Sequence, residues 1–171
     1  MVILITGASH TGKTAFAQKL LETHQFPYLS IDHLKMGLIR SGQTRLTPMD
    51  DDLLTPYLWP ILREIIKTVI ENRQNLIIEG CYIPFDWQKD FSVSYLQQIR
   101  YLCLAFSEDY IRNHFDQIAG NADCIEKRLD DSGLNQQELI QDNAMYLEGC
   151  RRHGLPCHLI DDHYSLPELS M

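Results

Sequence analysis

The chain opens with a short β-branched apolar run, Val2-Ile3-Leu4-Ile5, that stops at Gly7 and gives way to Gly7-Ala8-Ser9-His10-Thr11-Gly12-Lys13-Thr14. The run is too short for a helix and reads as a buried strand. From Lys13 to Leu21 the apolar residues Phe16, Leu20 and Leu21 recur at helical spacing, so a helix begins where the loop ends. A strand joined to a helix by a tight glycine loop leaves few architectures open. The two have to pack on each other, and if the pattern repeats, a parallel sheet covered by helices follows.

The pattern does repeat. Residues 26–31 are a plausible second strand, after which Asp32 caps a helix carrying Leu34, Leu38 and Ile39. Thr47-Pro48-Met49-Asp50 has the composition of a helix start. Apolar residues then recur at 54, 58, 61, 65 and 69. Pro56 and Pro60 should break or kink that helix, with Thr55-Pro56 as a restart. Residues 75–80, 99–106 and 157–161 read as the third, fourth and fifth strands, with helical patterns around 108–118 and 135–152. Alternating strands and helices imply a parallel sheet with right-handed crossovers. The chain shows no internal repeat, low-complexity tract or linker, so residues 1–171 are expected to form one domain.

The loop fits the pattern GxxxxGK[ST], in which each residue type has a physical task. The glycines Gly7 and Gly12 permit conformations a side chain would block, so that successive amides across Ser9, His10 and Thr11 can face phosphate oxygens. The helix starting at Lys13 adds its positive end. Lys13 can reach the β- and γ-phosphates, and the Thr14 hydroxyl can ligate Mg²⁺. His10 is expected to be a solvent-side loop residue, not a base. The strand–loop–helix setting makes nucleotide binding the leading expectation.

Three further groups fit around it. Asp32 closes the second strand, and ligands of such sheets bind beyond the C-terminal strand ends. A carboxylate there can accept a proton from an acceptor hydroxyl or orient the acceptor. Lys35, one turn on, can hold a substrate anion, and Arg40 and Arg45 are candidates to line the acceptor site. Glu79 ends the third strand and is placed to reach Mg²⁺ or its water shell. Arg112, Lys127 and Arg128 are the cations available to offset γ-phosphate charge, in a polar stretch with the character of a lid near 112–133. Of these, Arg112 and Arg128 are preferred.

The net charge of −8 argues against a nucleic-acid polymer as partner, although a small phosphorylated ligand needs only a local positive cluster. No apolar run approaches the roughly 20 residues of a membrane helix. The five cysteines, scattered and without a CxxC pair, point to reduced thiols in a cytoplasmic protein, not to a zinc site. Trp59, Trp87 and Tyr82 are expected in the core, with lining of the acceptor pocket as the alternative.

GASHTGKT, the post-strand SIDHLK, the strand IIEG and IRNHFD…IEKRLDD together resemble the small P-loop kinases related to adenylate kinase, and the 2-phosphoglycerate-kinase-like and zeta-toxin-like phosphotransferases. The resemblance spans most of the chain. It implies a three-layer α/β/α fold with five parallel strands in the order 2-3-1-4-5, Mg-ATP as donor, and a lid between the fourth strand and the last helix. It also implies Gly7, Gly12, Lys13 and Thr14 for ATP and metal, Asp32 and Glu79 as the acids beyond strands two and three, and Arg112 and Arg128 as lid arginines.

The chain departs from adenylate kinases where they read Asp-Gly-Phe-Pro-Arg. Here the third strand runs into Glu79-Gly80-Cys81-Tyr82-Ile83-Pro84, with no arginine. The expectation is therefore an ATP-dependent kinase of a small hydroxylated or phosphorylated metabolite, monomeric or homodimeric. The alternatives are a nucleoside monophosphate kinase using Lys35 with Arg40 or Arg45, and a nucleotide-binding regulator or NTPase without a small-molecule acceptor. The chain has no Asn-Lys-x-Asp stretch to read guanine.

Overall fold

A computed structural model describes residues 1–121 and 134–169 of the chain. Five parallel strands, β1 (Val2–Gly7), β2 (Tyr28–Ser30), β3 (Leu76–Glu79), β4 (Ile99–Phe106) and β5 (Cys157–Ile160), form one sheet in the order β2-β3-β1-β4-β5. Every residue of β1 is buried, as expected of a central strand covered on both faces.

The two-residue alternation divides the core cleanly. Ile3, Ile5, Ile77, Leu102 and Leu104 face α1 (Lys13–His24) through Phe16, Ala17 and Leu20. Val2, Leu4, Ile78, Tyr101 and Cys103 point the other way. They lie in one cluster with Leu58, Leu62 and Ile66 of α3 (Asp51–Glu71) and Tyr146 and Cys150 of α6 (Gln136–His153). Between these elements lie α2 (Ile31–Arg40), a 3₁₀ turn at Trp87–Asp90, the short α4 (Val93–Leu96) and α5 (Glu108–Gly120).

Three local expectations need correction. Asp32 is not the cap of α2: Ser30 holds that position and Asp32 sits in the first helical turn, where its charge favours the positive helix end. Thr47 does not begin α3. Its amide and hydroxyl both donate to Asp50 Oδ2, at 2.7 and 2.8 Å, and Asp50 caps a helix that starts at Asp51. Pro56 and Pro60 do not interrupt α3, which runs 21 residues. Both prolines lie on its solvent face, where water can satisfy the carbonyls they leave free. The opposite stripe of Leu54, Leu58, Leu62, Ile66 and Ile70 is buried and holds the helix to the sheet, one position off the stripe read beyond 58 in the sequence.

The strand order changes direction between β1 and β4, so the carboxyl ends of β1, β2 and β3 form the edge at which sheets of this kind take ligands.

Candidate active site

The loop after β1 is constrained by its neighbours. Gly7 has φ 137° against the facing strand, and a Cβ there would lie 2.0 Å from the carbonyl oxygen of Leu104. Only glycine fits. Gly12 has φ 87° and caps α1, leaving the first amides of the helix facing the loop. His10 takes a left-handed conformation with φ 65° and is half-buried, so it shapes the loop instead of projecting into solvent.

One carbonyl organises the loop interior. Ala8 O accepts from the buried Thr11 hydroxyl at 2.9 Å and from Lys13 Nζ at 2.7 Å. Lys13 is itself only 7% exposed, so its ammonium is held inside the loop and not in bulk solvent. Thr14 Oγ1 donates to Glu79 Oε2 at 3.3 Å, linking the first turn of α1 to the end of β3. Glu79 is 2% exposed. A buried carboxylate and a hydroxyl converging beneath a glycine loop are hard oxygen donors, a set suited to Mg²⁺ and not to a soft metal.

A second polar group lies at the ends of β2 and β3. Lys35 Nζ pairs with Asp32 Oδ1 at 2.5 Å and donates to Tyr82 Oη at 3.0 Å, and Tyr82 donates in turn to Asp51 Oδ1 at 2.8 Å. Tyr82 is buried, as expected of a core residue, but its hydroxyl joins three elements. Burial and the Asp51 carboxylate push that hydroxyl far above the ordinary tyrosine range. Within the pair, the Lys35 side chain is 12% exposed and that of Asp32 43%, so the carboxylate is the open end.

Asp142 on α6, although exposed, also feels Asp51: partial desolvation, then Glu138 and Asp51, raise its carboxyl from the ordinary aspartate value. Asp51 and Asp142, and the bond from Tyr82 to Asp51, escaped the sequence reading, because residues this far apart carry no shared spacing.

The remaining candidates are placed less centrally. Arg40 is exposed in the last turn of α2, about 12 Å along the helix from Asp32. Arg112 on α5 is engaged by Glu108, with Nη2 to Oε1 at 2.6 Å. Arg128 and Lys127 lie outside the described residues.

Tyr164, missed in the sequence, reaches the loop from the C-terminal segment. Its hydroxyl would be 1.9 Å from a Cβ at Gly12. His158 Nε2 contacts Ser165 O at 2.9 Å, and Leu166 and Leu169 pack against the α1 face, fixing that segment beside the loop.

No family model and no curated protein matches the chain. Among solved structures, shikimate kinase from Bacteroides thetaiotaomicron is 13% identical over 90% of this chain and 80% of its own length, with a TM-score of 0.50. A gluconokinase from Sinorhizobium meliloti 1021 is 16% identical over 97% of this chain and 83% of its own, with a TM-score of 0.47. At these identities the likeness shows the fold alone: a five-stranded parallel sheet in the order 2-3-1-4-5 with helices on both faces, the fold of P-loop kinases.

Proposed function

We propose that the chain is an ATP-dependent kinase that transfers the γ-phosphoryl group to a small hydroxylated or phosphorylated metabolite. The observation that carries this reading is the contact between Thr14 and Glu79 at the base of the glycine loop. It joins the two sequence signals, loop and strand-end acid, into one oxygen donor set where ligands of such sheets bind.

Thr14 and Glu79 would hold Mg²⁺, which would supply positive charge to offset that of the phosphates. Loop amides from Ser9 to Lys13 hold the phosphates, and Lys13 exchanges Ala8 O for a phosphate oxygen. Asp32, as the open carboxylate beyond β2, accepts the proton of the acceptor hydroxyl or orients it. Lys35 and Tyr82 hold Asp32 in place and offer the acceptor a cation and a hydroxyl. Arg40 would meet only a longer acceptor. Arg112, on release from Glu108, and Arg128 supply the remaining positive charge, with 112–133 as the lid of a single domain. The acidic neighbourhood of Asp32, Asp51 and Asp142 favours a hydroxylated acceptor over one bearing several phosphates. It also disfavours AMP.

The described helices include none long and apolar enough to cross a membrane. A cytoplasmic enzyme, monomeric or homodimeric, accords with the free thiols of Cys81, Cys103, Cys150 and Cys157.

The test is ADP release from Mg-ATP across nucleoside monophosphates, sugars, sugar phosphates, hydroxy acids and aminoglycosides, with Lys13→Ala alongside. A Lys13-dependent stimulation by one acceptor class is the expected result. ATP binding with no stimulation by any acceptor would favour an NTPase or sensor.

A further inference from the structure

Three cysteines from three different elements meet on the sheet face opposite α1. Cys103 lies in β4 and Cys157 opens β5, and the register pairs the two directly. Cys150 comes from the last turns of α6. The three Sγ atoms all lie within 4.8 Å of one another. Cys103 and Cys150 are buried and Cys157 is half-buried. The expectation of scattered thiols therefore fails in three dimensions.

We propose that Cys103, Cys150 and Cys157 form a three-thiolate site for a soft monovalent ion, Cu(I). Ligand type comes first, because thiolates select soft ions over Mg²⁺ or Ca²⁺. Ligand number follows. Among the described residues no histidine or carboxylate joins the cluster, whereas a structural zinc site takes four ligands. Cu(I) is satisfied by three.

The spacing also fits. Thiolates about 2.3 Å from a common ion in a trigonal plane stand roughly 4 Å apart, within reach of the observed separation by small side-chain rotations.

Backbone bonds hold the three positions in register. Leu155 N donates to Cys150 O at 2.9 Å and Cys103 N to Pro156 O at 3.1 Å, so helix end, turn and both strands are tied together. The Tyr101 hydroxyl, 3.8 Å from Cys150 Sγ, is an outer partner able to orient that ligand. Half-buried Cys157 marks the entry path. Cys103 sits opposite Thr6 in the register, on the sheet face away from α1, and the assignment does not depend on the kinase reading.

The experiment is an anaerobic titration of the full, reduced chain with Cu(I) against bathocuproine disulfonate as competing chelator. One Cu(I) per chain is expected for the wild type and for Cys81→Ala. Cys157→Ser, at the least buried ligand, should weaken binding by about 100-fold or more. Copper X-ray absorption on the wild type should give three sulfur neighbours, a readout that needs no variant to fold. Absence of uptake, uptake unchanged in Cys157→Ser, or a coordination of two sulfurs would overturn the assignment.

Discussion

Thr14 Oγ1 and Glu79 Oε2 lie 3.3 Å apart although 65 residues separate them in the chain. The contact exists because β1 and β3 are direct neighbours, with Ile5 opposite Glu79, and because α1 starts over the same strand ends. A nearly inaccessible carboxylate is costly to hold unless something polar or cationic meets it. Thr14→Ala should therefore lower turnover about 100-fold and raise the Mg²⁺ concentration needed for half-maximal rate. A Mg²⁺ titration of initial rates measures both effects.

Lys13→Ala should abolish detectable phosphoryl transfer while leaving the fold intact, because among the described residues the Lys13 ammonium bonds only the Ala8 carbonyl, at 2.7 Å. Unchanged far-ultraviolet circular dichroism, together with a loss of about 100-fold or more in kcat/KM, is the expected pairing.

Gly7→Ala should be a stability variant before it is an activity variant. The added Cβ would lie 2.0 Å from Leu104 O in a central strand pair, at φ 137°. Overpacking and backbone strain each cost about 1–3 kcal/mol, so a loss of roughly 3 kcal/mol or more is expected from urea unfolding.

Tyr82→Phe removes the hydroxyl shared by Lys35 and Asp51, at 3.0 and 2.8 Å. About 1–3 kcal/mol of stability should be lost. With Lys35 freed on one side, acceptor KM should rise several-fold with a smaller change in kcat. Asp32→Asn should instead lower kcat by about 100-fold or more. Steady-state kinetics on the identified acceptor separate the two roles.

Asp142 carries a pH dependence of defined sign. Although Asp142 is exposed, partial desolvation and the neighbouring Glu138 and Asp51 raise its carboxyl from the ordinary value, so the folded protein binds its proton somewhat more tightly than the unfolded chain does. The native state is thus favoured where Asp142 is protonated and penalised once pH rises through the raised value. Asp142→Asn should increase Tm at pH 7, and the gain should shrink as pH falls below the ordinary carboxylate range. Thermal melts of both proteins across pH 3–8 give the comparison.

The strands were legible because those buried on both faces appear as apolar runs, Val2-Ile3-Leu4-Ile5 most plainly. The phosphate loop was legible because its chemistry is local. Pro56 and Pro60 misled because their effect depends on which helix face meets water, something a residue type does not announce. Tyr82 was correctly assigned to the core, but its bond to Asp51 spans 31 residues. Tyr164 beside Gly12 and the Cys103–Cys150–Cys157 cluster are likewise products of tertiary packing, with no spacing to betray them.

The central claim is that this chain passes a phosphoryl group to a small molecule, and ³¹P NMR of Mg-ATP turnover with the pooled acceptor panel tests it most directly. A new phosphoester resonance, formed in step with ADP and absent with Lys13→Ala, is the predicted result. Conversion of the γ-phosphate to inorganic phosphate alone, with no phosphoester formed, would contradict it.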